Sequence, residues 1–174
     1  MSNNSPLSSA YLKVIKSRFR YIKRMAEKTF EQLDDEALLW FPNDNSNSIA
    51  TIVKHISGNM VARWTDFLNS DGENNRDRDS EFEHTLLTRD EMYEVWNNGW
   101  NVFFKALDTI EEKHLLQIIA IRGETHTVIE SLERHMYHYS YHIGQIVYIA
   151  KQLNSGSWRS LSIPKKVKNE ERIL

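Results

Sequence analysis

Apolar residues recur at steps of three and four along four long segments of this chain, and that period limits its fold more than any other feature. In the first segment Leu12, Ile15, Phe19, Ile22, Ala26 and Phe30 form one stripe. At 3.6 residues per turn, such residues stack on one face of an α-helix. The second segment follows Pro42 and the polar cluster NDNSNS, which offers N-cap residues. Its stripe is Ile49, Ile52, Val53, Ile56, Met60 and Phe67. The third opens with TRDE, a capping box from Thr88 to Glu91, and continues through Val95, Trp96, Val102, Phe103, Ala106, Leu107 and Ile110. The fourth opens with TVIE, a second box from Thr127 to Glu130. It runs through Leu132, Tyr139, Ile146 and Ile149 to about Leu153, where Asn154 and Gly156 stop it.

Four helices with two longish connections predict an all-α four-helix bundle. At 174 residues the chain suits a single domain, expected over residues 1–174. The stretch DGENNRDRDSEFEHTLL, between the second and third helices, reads as a long polar loop. Between the third and fourth, the β-like run Gln117–Ile121 followed by Gly123 predicts a small hairpin or an extended connection. After Gly156 a tail, SWRSLSIPKKVKNEERIL, is expected to pack back through Trp158, Leu161 and Ile163.

Function classes narrow next. The net charge of −2 gives no global field for nucleic acid or an anionic membrane, and neither is expected as a partner. The chain has no cysteine, which excludes a disulfide, a thiolate-ligated zinc site and a cysteine nucleophile. No stretch approaches the ~18 apolar residues of a membrane span. The start, MSNNSPLSSAYLKVIK, has no apolar run after basic residues, so no secretory signal is read there and the cytoplasm is the expected location. The first helix is basic: Lys13, Lys16, Arg18, Arg20, Lys23, Arg24 and Lys28 meet one acid, Glu27. A solvated face with acidic neighbours on the same molecule is the reading preferred over a binding surface.

The stretch HYSYHIGQI, residues 138–146, puts His138 and His142 four apart on a helix. That spacing places two imidazoles on one face, their Cβ atoms about 6 Å apart, within reach of one metal ion. The zinc-protease motif adds Glu directly after the first His. Here Tyr139 stands there, so a protease of that kind is not expected. A zinc site with an open position usually takes three protein ligands. His55, on or beside the buried stripe of the second helix, is a candidate third, and His135 competes with it. His84, His114 and His126 fall in loops or helix ends and read as surface residues. The plainer alternative is that these histidines satisfy the phenols of Tyr137, Tyr139, Tyr141 and Tyr148 in an aromatic core.

Several motifs bear on that choice together. NSIATIVKHISGNM (47–60) carries one His in the second helix, and HYSYHIGQIVYIAK (138–151) gives HxxxHxGQ in the last. These resemble the DinB/YfiT-like superfamily of metal-binding four-helix bundles. RDRDSEF (76–82) and WRSLSIPKK (158–166) resemble one uncharacterised branch of it. The resemblance implies an antiparallel bundle, often a homodimer, with a divalent ion, commonly zinc or nickel. It implies His55, His138 and His142 as the ligands, with His135 outside the matched motif. It also implies kinship with transferases and isomerases that use a small thiol such as bacillithiol, mycothiol or glutathione.

The expected function is therefore a metal-binding protein that transfers a small thiol, with metal-assisted hydrolysis or a non-catalytic stress-response role as alternatives. No carboxylate is obvious beside the histidines. Asn59, Tyr139 or Tyr141, and Gln145 are candidates to orient the imidazoles or a ligand. Gly144 is expected to allow close helix packing. Arg76 and Arg78 either contact an anionic substrate or pair with Asp77, Asp79 and Glu81 to order the loop. A homodimer is expected because Trp40, Phe41, Trp64, Trp96 and Trp100 exceed what one small core readily hides.

Overall fold

The computed structural model describes residues 5–72, 76–86 and 88–164. It is mainly helical, with five α-helices and one two-stranded sheet among the described residues. Four helices are long: α1 (Pro6–Phe30), α3 (Ile49–Trp64), α4 (Arg89–Thr109) and α5 (Val128–Leu153). The fifth, α2 (Asp35–Leu39), makes a single turn capped by Asp34, whose carboxylate accepts from the Ala37 amide at 2.8 Å. Five residues are too few to display a helical period.

The starts of the long helices follow their local chemistry. Ser48 accepts from the Thr51 amide and caps α3. Thr88 with Glu91, and Thr127 with Glu130, form complete capping boxes on α4 and α5. Each box satisfies two amides that the first helical turn would otherwise leave bare. Helix α3 ends at Trp64, so Phe67 lies beyond it, buried and stacked on Trp64 at 4.2 Å.

The core is aromatic and drawn from all four long helices. Phe19 meets Phe103 edge-on at 4.5 Å, Phe30 meets Trp96 at 5.3 Å, and Trp64 meets Phe103 at 4.7 Å. Burying each such ring contributes about 1.5–3 kcal/mol. Tyr139 is fully buried among them. Its hydroxyl accepts from Trp64 Nε1 at 3.1 Å and donates to Asn59 Oδ1 at 3.1 Å, which ties α5 to α3. Trp64, Trp96 and Trp100 are therefore hidden within one chain, and the expected aromatic surplus reduces to Trp40 and Phe41, both about 40% exposed.

The connection before α5 is a hairpin of β1 (Ile118–Ile121) and β2 (Glu124–Thr127), antiparallel, with Ile121 opposite Glu124. Arg122 and Gly123 form its turn with φ of 54° and 75°. Positive φ at both central positions is what a tight two-residue hairpin demands. The tail is pinned by Gln32, whose side chain bonds both the amide and the carbonyl of Arg159. Trp158 packs on the core, whereas Ile163 is 92% exposed and does not. The tail residues from 165 onward lie outside the described part. On α1 the basic side chains meet acids of the same molecule: Lys16 and Arg20 face Asp108, and Lys23 pairs with Glu27. No helix among the described residues is long and apolar enough to cross a membrane.

Two glycines separate packing from open space. A Cβ on Gly99 would lie 2.7 Å from Ser57 Cα, so α4 approaches α3 there as only glycine allows. Gly144, expected to serve that purpose, has nothing near its Cβ position, because its face of α5 lines an open groove. Gly99→Ala is expected to lower stability by about 1–3 kcal/mol. Gly144→Ala is expected to raise it by about 0.5–1 kcal/mol, as alanine does in an exposed helix interior. Denaturant unfolding of both variants checks the pair.

Candidate metal centre

Helix α3 brings His55 to the edge of the core, where the residue is only 5% exposed. Helix α5 brings His138 and His142 on consecutive turns. The three imidazoles meet. His138 Nε2 lies 3.3 Å from His55 Nε2 and 3.1 Å from His142 Nε2. One nitrogen from each ring lies within 4.8 Å of the other two, and the group could hold a metal ion. Nitrogens bound tetrahedrally at about 2.0–2.1 Å stand roughly 3.3 Å apart, close to the two separations found here.

The outer ring nitrogens are held by specific partners. His55 Nδ1 donates to Glu81 Oε2 at 2.9 Å. His142 Nδ1 donates to Gln145 Oε1 at 2.8 Å, and Gln145 Nε2 donates to the Tyr141 hydroxyl at 3.2 Å. A carboxylate and a carbonyl oxygen only accept, so both rings carry their proton on Nδ1 and turn a lone pair inward from Nε2. His138 Nε2 then faces two lone pairs and can donate to one of them. A cation between the rings resolves that conflict, so the donor set fits a divalent metal. Burial and neighbouring charge also keep the two α5 rings neutral: His138 is lowered to about 3 and His142 to about 4, with burial the main cause in each. Neutral imidazole is the form that ligates.

The sequence offered Glu81 as a loop partner of Arg76, which it is, but gave no sign of its bond to His55. It lies 26 positions from His55, in what looked like a solvated loop. There Ser80–Phe82 forms a short 3₁₀ turn against α3. Glu81 is buried, and Arg76 grips its carboxylate with two bonds of 2.8 Å, Nε to Oε1 and Nη2 to Oε2. Burial pushes the Glu81 carboxyl up, but the hydrogen bonds from His55 and Arg76 outweigh it and hold the group below its ordinary value. Phe82 stacks on the His55 ring at 4.7 Å, and Arg78 sits over Phe82 at 5.1 Å. RDRDSEF is thus a clamp on His55. Gly58 makes room for it, since a Cβ there would come within 2.4 Å of Glu81 Oε1.

The other candidates fall elsewhere. Tyr139 bonds Asn59 and Trp64, and neither Tyr139 nor Asn59 hydrogen-bonds an imidazole. The phenol of Tyr139 is satisfied by Asn59, so the histidines do not serve to satisfy it. His135 is fully buried on the same helix but turns away, its Nδ1 donating to the Ser131 carbonyl at 2.7 Å. His84 stacks on Phe41 at 4.4 Å and bonds Thr51. His114 accepts from the Glu111 amide, and His126 lies in β2. Arg76 and Arg78 both line a cavity that also touches His55 and His138.

His135 is lowered to about 4, chiefly by burial. In the unfolded chain all three depressed imidazoles return to about 6.5. Acid between these values protonates the unfolded chain first, so stability is whole above about pH 6.5 and is lost as pH falls toward 4. Thermal melts of chelator-treated protein across this range should show that slope. His135→Asn should flatten it, and an unchanged slope would show that His135 contributes nothing to it.

A protein-family description, "Protein of unknown function (DUF1572)", matches residues 6–167, nearly the whole chain. The chain belongs to that family. No curated protein is matched.

Proposed function

We propose that this member of the DUF1572 family is a divalent-metal protein of the DinB/YfiT-like kind, an antiparallel four-helix bundle that transfers a small-molecule thiol to an electrophile. His55, His138 and His142 would hold the ion, zinc or nickel. The observation that carries this reading is the set of three Nε2 atoms turned toward one another while Glu81 and Gln145 occupy the outer nitrogens of two of the rings. Three neutral ligands leave a divalent ion's charge uncompensated, and bound there it supplies a Lewis acid that favours a thiol's deprotonated form at neutral pH.

The protein's own residues do the rest. Glu81 fixes the tautomer and direction of His55. Gln145 does the same for His142 and is itself held by Tyr141. Because the chain has no cysteine, any thiol must arrive as a cosubstrate. Transfer is preferred to hydrolysis because both oxygens of Glu81 already accept hydrogen bonds and its basicity is lowered. That carboxylate is poorly placed to take a proton from water.

The purified protein should carry about one divalent ion per chain by elemental analysis. His138→Ala and His142→Ala should lose it, and His135→Ala should keep it; full occupancy in the first two variants would overturn the ligand set. Glu81→Gln, and Gly58→Ala through collision with Glu81, should weaken metal affinity about 10–100-fold in competition with a chelator. Cobalt-substituted protein tests the thiol. Bacillithiol should produce a sulfur-to-cobalt charge-transfer band that His142→Ala lacks. A cobalt spectrum moved by small carboxylates or phosphates and not by thiols would favour hydrolysis. One that nothing moves would favour a non-catalytic role.

A further inference from the structure

The cavity beside the imidazoles has a volume of about 360 Å³, at the lower end of small-ligand sites. His55 and His138 form part of its wall. Five arginines line it: Arg63 from α3, Arg76 and Arg78 from the clamp, Arg122 from the hairpin turn, and Arg134 from α5. The chain has eleven arginines and eleven lysines, yet among the described residues that line this cavity five are arginine and none is lysine. Guanidinium, unlike ammonium, offers a planar fork that matches carboxylate and phosphate oxygens.

Gathering five like charges from four parts of the chain is costly. Arg63 is buried and lowered to about 10, by burial first and then by the charges of Arg122, Arg76 and Arg134. Arg76 is committed to Glu81, and Arg63 donates to the Asp71 carbonyl. Arg122 adds a second cost. It holds φ of 54° at a turn position where Asn, Asp or Gly is favoured.

We infer that this cavity binds a small polyanion, bearing two or more carboxylates or a phosphoryl group, against the His55–His138 edge of the imidazole cluster. A nucleic acid is not the fit, because the arginines converge on one small concavity and form no stripe. The polyanion's role as a reactant rests on the metal-centre reading, but its binding does not.

Calorimetry of the full chain with succinate, and separately with inorganic phosphate, tests the inference. Binding should weaken as salt rises from about 50 to about 500 mM. The double variant Arg122→Gln/Arg134→Gln should lose at least about tenfold in affinity with metal content unchanged. Lys13→Gln/Arg18→Gln on α1 should leave binding as it is. Tighter succinate binding assigns a carboxylate ligand, and tighter phosphate binding a phosphoryl one. No binding of either anion at about 10 mM, or equal loss in the α1 variant, overturns the inference. Anion binding by protein that takes up no metal keeps it and removes the metal reading. Metal uptake without anion binding does the reverse.

Discussion

A carboxylate inside a helical protein costs several kcal/mol unless its oxygens are met by donors. Glu81 is met three times, twice by Arg76 and once by His55. That one group anchors an irregular segment to the helix beside it. It draws residues 76–82 onto α3, brings Phe82 flat against the His55 ring, and leaves Arg76 and Arg78 on the cavity wall. It also decides which nitrogen of His55 faces inward. Without Glu81 the imidazole could carry its proton on either nitrogen, and the cluster would have no fixed electronic character.

The aromatic core supplies the complementary constraint. The imidazoles face one another only if α3 and α5 keep their relative rotation. Trp64, Tyr139 and Asn59 hold it through two buried hydrogen bonds, in the layer next to the cluster. Hydrophobic burial alone tolerates small rotations, since area changes little with them. A directional bond between buried polar groups does not, because breaking it leaves an unmet donor or acceptor. The arrangement explains why Tyr139 stands where the zinc-protease motif has glutamate. That position of the helix points into the core, where Tyr139 serves α3.

What the sequence made legible was what is local. The stripe from Leu12 to Phe30, the capping boxes at Thr88 and Thr127, and the shared face of His138 and His142 each depend on contacts within a few residues. The hairpin could be read from Gly123 and its β-like run for the same reason. The misreadings are tertiary. Glu81 finds His55 across 26 positions through a segment whose composition looks like solvated loop. Gly144 and Gly99 look alike in sequence, and only the approach of α3 tells them apart. The tryptophans looked too many for one core because a count of rings says nothing about how tightly edge-on pairs fill space.

The closest imidazole contact between helices joins residues 83 positions apart, so it exists only once α3 and α5 have docked. Closing so long a segment is entropically unfavourable and comes late in folding. An ion bridging those helices would contribute little to the rate at which the chain folds. It would instead act on the reverse step, because the protein must release the ion before the helices separate. Occupancy of this centre would then set the lifetime of the folded chain more than the speed of its formation, and loss of the ion would be felt first as faster unfolding.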